Sequence, residues 1–328
     1  ERTNSFEVGM NMRFLKNFEL DVTYYNAKTM NQTFNPELPV GEYARIYIQT
    51  GAVRNQGLEL ALNYNNTWKD FTWNTGVTYS MNKNKILTLA DNAINPITRE
   101  KFSISSLNMG GLGSTRFILK EGGSMGDIYS LMDLKRDANG AVYIDENNSV
   151  VTESLEANNY IKLGSVLPKG NLAWRNNFSW KNINVAFLVS ARLGGVVFSR
   201  TQAVLDNFGV SEASAAARDK GYVSVNGNDR VGWYSVVAGG TAVPQYYIYS
   251  ATNIRLQEAS IGYTIPRKWL GNVCDIKVSL IGRNLWMIYN KAPFDPESVA
   301  STDNFYQGID YFMMPSLRNI GFNLSFKF

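Results

Sequence analysis

The chain has 328 residues, a formal net charge of +4, no histidine and a single cysteine, Cys274. Without histidine it lacks the commonest general base and metal ligand, and a lone thiol closes no internal disulfide, so Cys274 reads as a small buried apolar residue. The charge is weak and scattered and leaves no nucleic-acid footprint, while the 18 Tyr, 17 Phe and 7 Trp suit twisted strands with wet loops better than a soluble enzyme.

No apolar run approaches the roughly 18 residues of a membrane helix. A membrane barrel strand needs only about 9–11 residues, and only alternate ones face lipid. Period two is the pattern that recurs along the chain. Phe6, Val8, Met10, Met12 and Phe14 alternate with Glu7, Gly9, Asn11 and Arg13. Phe18, Leu20, Val22 and Tyr24 alternate with Glu19, Asp21 and Thr23, and Leu58, Leu60, Leu62 and Tyr64 with Glu59, Ala61 and Asn63. A fourth strand sets Phe71, Trp73, Thr75, Val77, Tyr79 and Met81 against Thr72, Asn74, Gly76, Thr78 and Ser80. Weaker strands are predicted near 112–119 and 126–134. Clear ones follow at Leu172–Trp180, Ile183–Leu193, Thr252–Tyr263, Asp275–Asn284 and Ser316–Phe328. Together they make roughly ten strands of membrane-spanning length.

The connections alternate between short and long. Short ones fall at Leu15–Asn17, Asn66–Asp70, Glu121–Met125, Lys181–Asn182 and Pro266–Asn272, and long ones near 30–56, 82–111, 135–170, 194–250 and 285–315. Loops longer than about 15 residues are uncommon in compact soluble domains. Five of them separated by tight hairpins predict an all-β, antiparallel, up-and-down transmembrane barrel with long extracellular loops and short periplasmic turns. Residues 1–328 read as one part of such a barrel domain. Phe14, Phe18, Trp68, Trp73, Trp180 and Trp269 lie beside the short turns, as an interfacial aromatic girdle requires. A soluble β-sandwich would also alternate, but it would not need such unequal loops.

Several segments then resemble one family. Ile254 to Pro266 resembles the "RL-nvsLGYtlP" segment of SusC-like TonB-dependent outer-membrane transporters. Gly282-Arg283-Asn284-Leu285, Phe294-Asp295-Pro296-Glu297 and the Pro315-x-x-Arg318 that opens the terminal strand resemble later motifs of the same family. Asn4 to Gly9, Asn55-Gln56-Gly57-Leu58-Glu59 and Leu163 to Pro168 resemble earlier ones, so the resemblance covers nearly the whole chain. It implies that the chain is the C-terminal portion of a longer polypeptide: roughly the last ten strands of a barrel of about 22, with the plug domain and first strands outside it. It implies a multi-pass place in a Bacteroidetes-type outer membrane. The activity implied is TonB-dependent import of a glycan or a peptide with a SusD-like surface lipoprotein, and TonB would act through the plug. A complete small ten-stranded barrel serving as adhesin or enzyme is the alternative.

No catalytic constellation, cofactor or metal site is expected. Asp137 to Asp145 resembles a calcium-loop stretch, but Ala141 and Val142 stand where an oxygen ligand and a glycine are needed, so a tight turn is the expectation. The acidic pairs Asp295/Glu297, Asp145/Glu146 and Glu153/Glu156 read as solvated loop charges and turn caps rather than a glycosidase pair. The Gly110–Gly113 cluster lacks the Lys-Ser/Thr of a phosphate loop. Candidate substrate platforms are Trp233, Tyr234, Tyr246, Tyr247, Phe305 and Tyr306, whose rings could stack on a ligand or pack the loops. In the last strand Ile320, Phe322, Leu324, Phe326 and Phe328 should face lipid and Leu317, Asn319, Gly321, Asn323, Ser325 and Lys327 the lumen. The family resemblance assigns Phe326 and Phe328 to the barrel-assembly signal.

Overall fold

The structure is a computed structural model that describes residues 1–34, 47–95, 98–240, 242–271, 273–301 and 306–327. Phe305 and Phe328, two of the residues singled out above, lie outside them. Nine long strands form one antiparallel sheet. They are β1 (Arg2–Phe14), β2 (Phe18–Phe34), β3 (Ile48–Trp68), β4 (Phe71–Thr88), β5 (Gly170–Trp180), β6 (Ile183–Leu193), β7 (Asn253–Ile265), β8 (Asp275–Asn290) and β9 (Asn319–Lys327). Each pairs with the next in order, and the outer edges of β1 and β9 have no partner among the described residues, so the sheet is an open arc. Among the described residues no helix is long and apolar enough to cross a membrane, which says nothing of crossing by strands.

The hairpin turns sit at one end of the sheet. Leu15, Lys16, Lys69 and Lys181 take left-handed backbone conformations there, with φ of 49°, 64°, 52° and 50°, because a tight connection between right-twisted strands demands that hand. The β7–β8 connection turns through Pro266 and a short 3₁₀ segment, Arg267–Leu270, closed by Gly271 at φ 62°. Side chains alternate along each strand and the registers stay in step, so apolar residues of successive strands align. Met10, Val22, Leu60, Tyr79 and Leu172 form one cross-strand row, and Val185, Ile261, Leu280 and Phe322 form another. This outward face stays uncovered by protein: Phe6 is 62% exposed and Phe322 81%. An apolar face of that extent belongs against lipid.

The expected girdle is present as a chain of ring contacts beside the turns. Phe14 stacks on Phe18 at 5.3 Å, Phe18 meets Tyr64 at 4.7 Å, and Tyr64 meets Trp73 at 5.3 Å. The belt continues through Phe178 to Phe187 and Trp174. Their polar ends are occupied, as the indole N–H of Trp73 donates to Asn176 (3.1 Å) and that of Trp174 to Thr75 (3.1 Å). Trp180 and Trp269 are exposed at the same end.

Two expected wall strands belong elsewhere. Segment 112–119 divides at Gly113-Ser114 into the end of Ser106–Leu112 and the start of Thr115–Lys120. Segment 126–134 divides into Asp127–Ser130 and Met132–Leu134. Three of these pieces join Ile161–Ser165 in a separate four-stranded sheet, while Met132–Leu134 pairs with Thr152–Ser154. The physical reason is burial on both faces: all four residues of Asp127–Ser130 are buried, so no face remains for lipid or lumen. The connection at Glu121–Met125 is therefore a turn inside one long excursion between β4 and β5, and there are four long excursions rather than five. Removing a pair of strands leaves all hairpins at the same end.

Three of the excursions fold together into a cap that holds most of the buried apolar core. Phe117, Ile128, Leu134 and Val166 from the β4–β5 excursion pack with Phe198, Val237, Val243 and Tyr247 from the β6–β7 excursion and Ile309 from the β8–β9 excursion. A second cluster joins Phe34, Val53 and Ile86, at the loop-side ends of β2, β3 and β4, to Leu89, Leu107 and Leu119. Two helices, α1 (Arg200–Asn207) and α2 (Glu212–Lys220), belong to the cap. The Ser199 hydroxyl caps α1 by accepting from Gln202 N, and Ser211 and Ser214 form a capping box on α2, which ends at Gly221 with φ 82°.

Candidate functional site

The inner face of the sheet is polar and internally hydrogen-bonded. Arg13 pairs with Glu19 at 3.2 Å, Arg283 with Glu258 at 2.9 Å, and Asn11 donates to Asp21 at 3.3 Å. Just below the cap one register row crosses the sheet: Thr23, Glu59, Ser80, Asn171, Arg192 and Asn253, contributed in turn by β2 to β7. Its middle lines an open cleft of about 590 Å³, to which Asp21, Thr78, Ser190 and Glu297 also contribute. The Asp21 and Glu59 carboxylates stand at one end of this cleft, the Arg192 guanidinium with the Glu297 carboxylate near it at the other, and hydroxyls and amides lie between. That set can orient a polar ligand by its hydroxyl, amide or charged ends.

A buried ion-pair latch fixes the cap above this row. In β7 the extra residue Gln257 makes a bulge, because Leu188 pairs with Glu258 and Val189 with Leu256. The bulge restores the phase so that Arg255 and Glu258, three apart, both reach the inner side. Arg255 then grips the β8–β9 excursion: its Nη1 and Nη2 donate to the two carboxylate oxygens of Asp295 at 3.1 and 2.8 Å. Nη2 also lies 3.1 Å from Glu297, while Nε donates to Asn253 Oδ1 at 3.1 Å. Asn253 in turn donates to Glu297 at 3.3 Å, and Asp295 accepts from the Ser316 hydroxyl at 2.6 Å and from the Glu297 N–H at 3.0 Å. Burial works to raise the Asp295 carboxyl, but the donors from Arg255, Ser316 and Glu297 outweigh it and hold the group below its ordinary range. The reading of Asp295 as a solvated loop charge is thus corrected: the side chains of Arg255 and Asp295 are 6% and 9% exposed. Arg255 is the residue that sequence reasoning passed over, although it stood inside a recognised motif.

Asp145 makes the turn expected of it, accepting from the N–H groups of Asn147 (2.9 Å) and Ser149 (2.8 Å), and Asp137 does the same with Asn139 (2.8 Å) and Ala141 (3.0 Å). The aromatic candidates divide. Trp233 and Tyr246 meet edge to face at 5.1 Å, and Trp233 and Tyr234 line a cleft of about 300 Å³ beside α2. Tyr306 is exposed and has no ring contact with the others among the described residues. Tyr247 is 2% exposed and its hydroxyl donates to Asp206 at 3.0 Å, so its ring offers no face to a ligand. Burial first, and then the nearby Asp206 carboxylate, push the Tyr247 hydroxyl far above its ordinary range and raise Tyr249 to about 12. Phe326 lies on the outward face of β9, opposite Ile276.

Comparison with known proteins places this arrangement. The TonB-dependent receptor P3 of Formosa agariphila is 25% identical over 369 residues, covering 100% of this chain and 34% of that protein. SusC of Bacteroides thetaiotaomicron is 22% identical over 285 residues, covering 82% of this chain and 26% of its own length. The structure of the RagAB peptide transporter superposes with a TM-score of 0.72 at 16% identity, covering 99% of this chain and 35% of that one. The chain therefore spans about a third of the length of P3 and of the transporter chain. The sequence profile of the family described as "TonB dependent receptor-like, beta-barrel" matches residues 1–285, and the chain belongs to that family.

Proposed function

We propose that this chain forms a wall segment and cap of an outer-membrane importer driven by TonB, carrying a polar nutrient, an oligosaccharide or a peptide. The observation that carries the reading is the polar row from Thr23 to Asn253, set directly beneath a cap latched by Arg255. A wall of a conduit needs an apolar outside, a hydrogen-bonding inside and a structured mouth, and the sheet has all three. The likeness to SusC and to the RagAB peptide transporter supports import as the activity. On this reading a SusD-like surface lipoprotein covers the loop side, and TonB acts through a plug carried by the remainder of the polypeptide. Trp233, Tyr234, Tyr246 and Tyr306 supply ring faces at the mouth for ligand or lipoprotein, with Phe305 next to Tyr306 in sequence. Phe326 and Phe328 serve as the assembly signal.

The test is uptake of labelled oligosaccharides and labelled peptides by cells bearing the full-length transporter. Replacing Glu59, Asn171 and Arg192 together with alanine should lower uptake of one ligand class about tenfold or more at unchanged surface abundance, the size expected when several ligand hydrogen bonds are lost. Undiminished uptake of both classes would reject the row as the transport surface.

A further inference from the structure

The outward face of β1 to β4 changes character abruptly toward the cap. Each strand steps from an apolar residue to a polar one and then to a cation: Phe6, Asn4, Arg2 on β1; Tyr24, Asn26, Lys28 on β2; Leu58, Gln56, Arg54 on β3. On β4 the same positions read Met81, Lys83, Lys85. The registers place these residues side by side. Phe6, Asn26, Gln56 and Lys83 form one row, and Asn4, Lys28, Arg54 and Lys85 the next. Lys28 is thus directly opposite Arg54, and Arg54 directly opposite Lys85. Like charges placed opposite one another in a sheet repel. Among the described residues no acid lies on the outward face of these four strands to relieve them, and no ion pair joins any of the five cations to a carboxylate.

Height fixes what these cations meet. From Leu58, the last apolar residue of its row, to Arg54 is four residues, about 14 Å along a strand and about 10 Å of height at a barrel tilt of about 40°. That is the headgroup zone next to the hydrocarbon layer. We propose that Lys28, Arg54 and Lys85, flanked by Arg2 and Lys83, bind the phosphate groups of an anionic lipid in the outer leaflet, with its acyl chains lying on the apolar band below. Phosphate oxygens take the planar guanidinium in pairs and bridge neighbouring ammonium groups. Where β4 runs beyond the end of β5, Lys83 also lines a cleft of about 490 Å³ with Lys169 and the ion pair of Lys162 and Asp127. The other half of the arc has no counterpart: at the corresponding ends β6, β7 and β8 present Ala191, Ile254, Trp286 and Ile288.

The proposal is tested by titrating the full-length transporter in detergent with bisphosphorylated lipid A, with the same lipid dephosphorylated, and with inorganic phosphate, bound lipid being counted by native mass spectrometry. The bisphosphorylated lipid should bind at least tenfold more tightly than the dephosphorylated one, and inorganic phosphate at millimolar concentration should not displace it. The triple substitution Lys28→Gln, Arg54→Gln, Lys85→Gln should abolish the difference, while Lys16→Gln, Lys69→Gln, Lys181→Gln at the hairpin end should leave it intact. Equal binding of the two lipids by the unaltered protein overturns the proposal whether or not the variants fold. So does displacement by free phosphate, which would mark a soluble-anion site, or an equal loss in the hairpin-end variant.

Discussion

The wall and the cap of this molecule keep their shape by opposite means. Among the described residues, no apolar side chain is buried in the turn-side half of any wall strand, whereas Phe117, Phe198, Ile128, Leu134 and Ile309 in the cap are almost fully enclosed. The wall is held by backbone hydrogen bonds and register, with an apolar face outside and a polar one inside. The cap is built as a soluble domain is, around side chains drawn from three separate excursions. A change that opens a cavity should therefore damage the cap and spare the wall, and a change of polarity on the outward face should do the reverse.

The largest effect is expected at the seam between them. Replacing Arg255 with Met leaves the buried Asp295 carboxylate without its cation, a loss of about 3–5 kcal/mol for a broken buried pair. The β8–β9 excursion should then become sensitive to protease while the barrel stays folded in detergent-resistance assays. The pH dependence has a definite sign. Because Asp295 is held below its ordinary value of 3.8, its stabilisation is complete above that pH and is lost as pH falls through the lower folded value. Acid protease sensitivity of the native cap should begin only below about pH 4; loosening at pH 6 would show that another group controls the latch. Phe198→Ala should cost about 3–5 kcal/mol through its cavity, read as cap proteolysis with an intact wall. Collapse of both together would show that they are a single cooperative unit.

What could be read from the sequence follows the same division. The turn-side strands have one lipid face and one polar face, so Phe6 to Phe14 and Phe71 to Met81 display their pairing as strict alternation. Their cap-side continuations do not. Asn82-Lys83-Asn84-Lys85 has the composition of a loop, yet it is strand, because Asn82 and Asn84 both donate to Asn55 across the sheet and Ile86 enters the second core cluster. Asp127–Ser130 is buried on both faces and gives no period that separates it from a wall strand. The latch was half legible. Its three segments each stood out as motifs, but the 40-residue separation of Arg255 from Asp295 conceals that they meet. The bulge at Gln257, which turns Arg255 inward, leaves only a slip in the alternation. Aromatics gave the reverse error, since composition cannot tell an exposed Tyr246 from a buried Tyr247.

On the wall, Leu62→Arg places a charge within the outward apolar band between the girdle and the basic rows. It should cost about 2–4 kcal/mol of barrel stability near the membrane midplane. Folding into vesicles should be slowed or lost, with cap proteolysis unchanged in the molecules that do fold. A barrel that tolerates the arginine without loss would mean that this row does not face lipid.

The smallest effect separates packing from polarity inside the cap itself. Asp206 is buried and accepts from Gln202 at 3.0 Å, from the Tyr247 hydroxyl at 3.0 Å and from the Ser211 hydroxyl. Tyr247→Phe keeps the ring in the core and removes one of these donors, for an expected loss of about 1–2 kcal/mol. The other two donors keep the carboxylate from being orphaned, so the cap should remain folded at neutral pH and simply unfold at a lower denaturant concentration. The substitution should also change the alkaline limit. In the native cap the hydroxyls of Tyr247 and Tyr249 are both held above the ordinary value of 10.0, so their stabilisation is present below pH 10 and is lost as pH rises toward the folded values. With Tyr247 replaced, only Tyr249 still contributes, and the alkaline loss should shrink accordingly. If the variant instead loosened at alkaline pH as much as the native protein, the coupling would reside in Tyr249 and its contact with Phe294, at 5.5 Å, rather than in the Asp206 network.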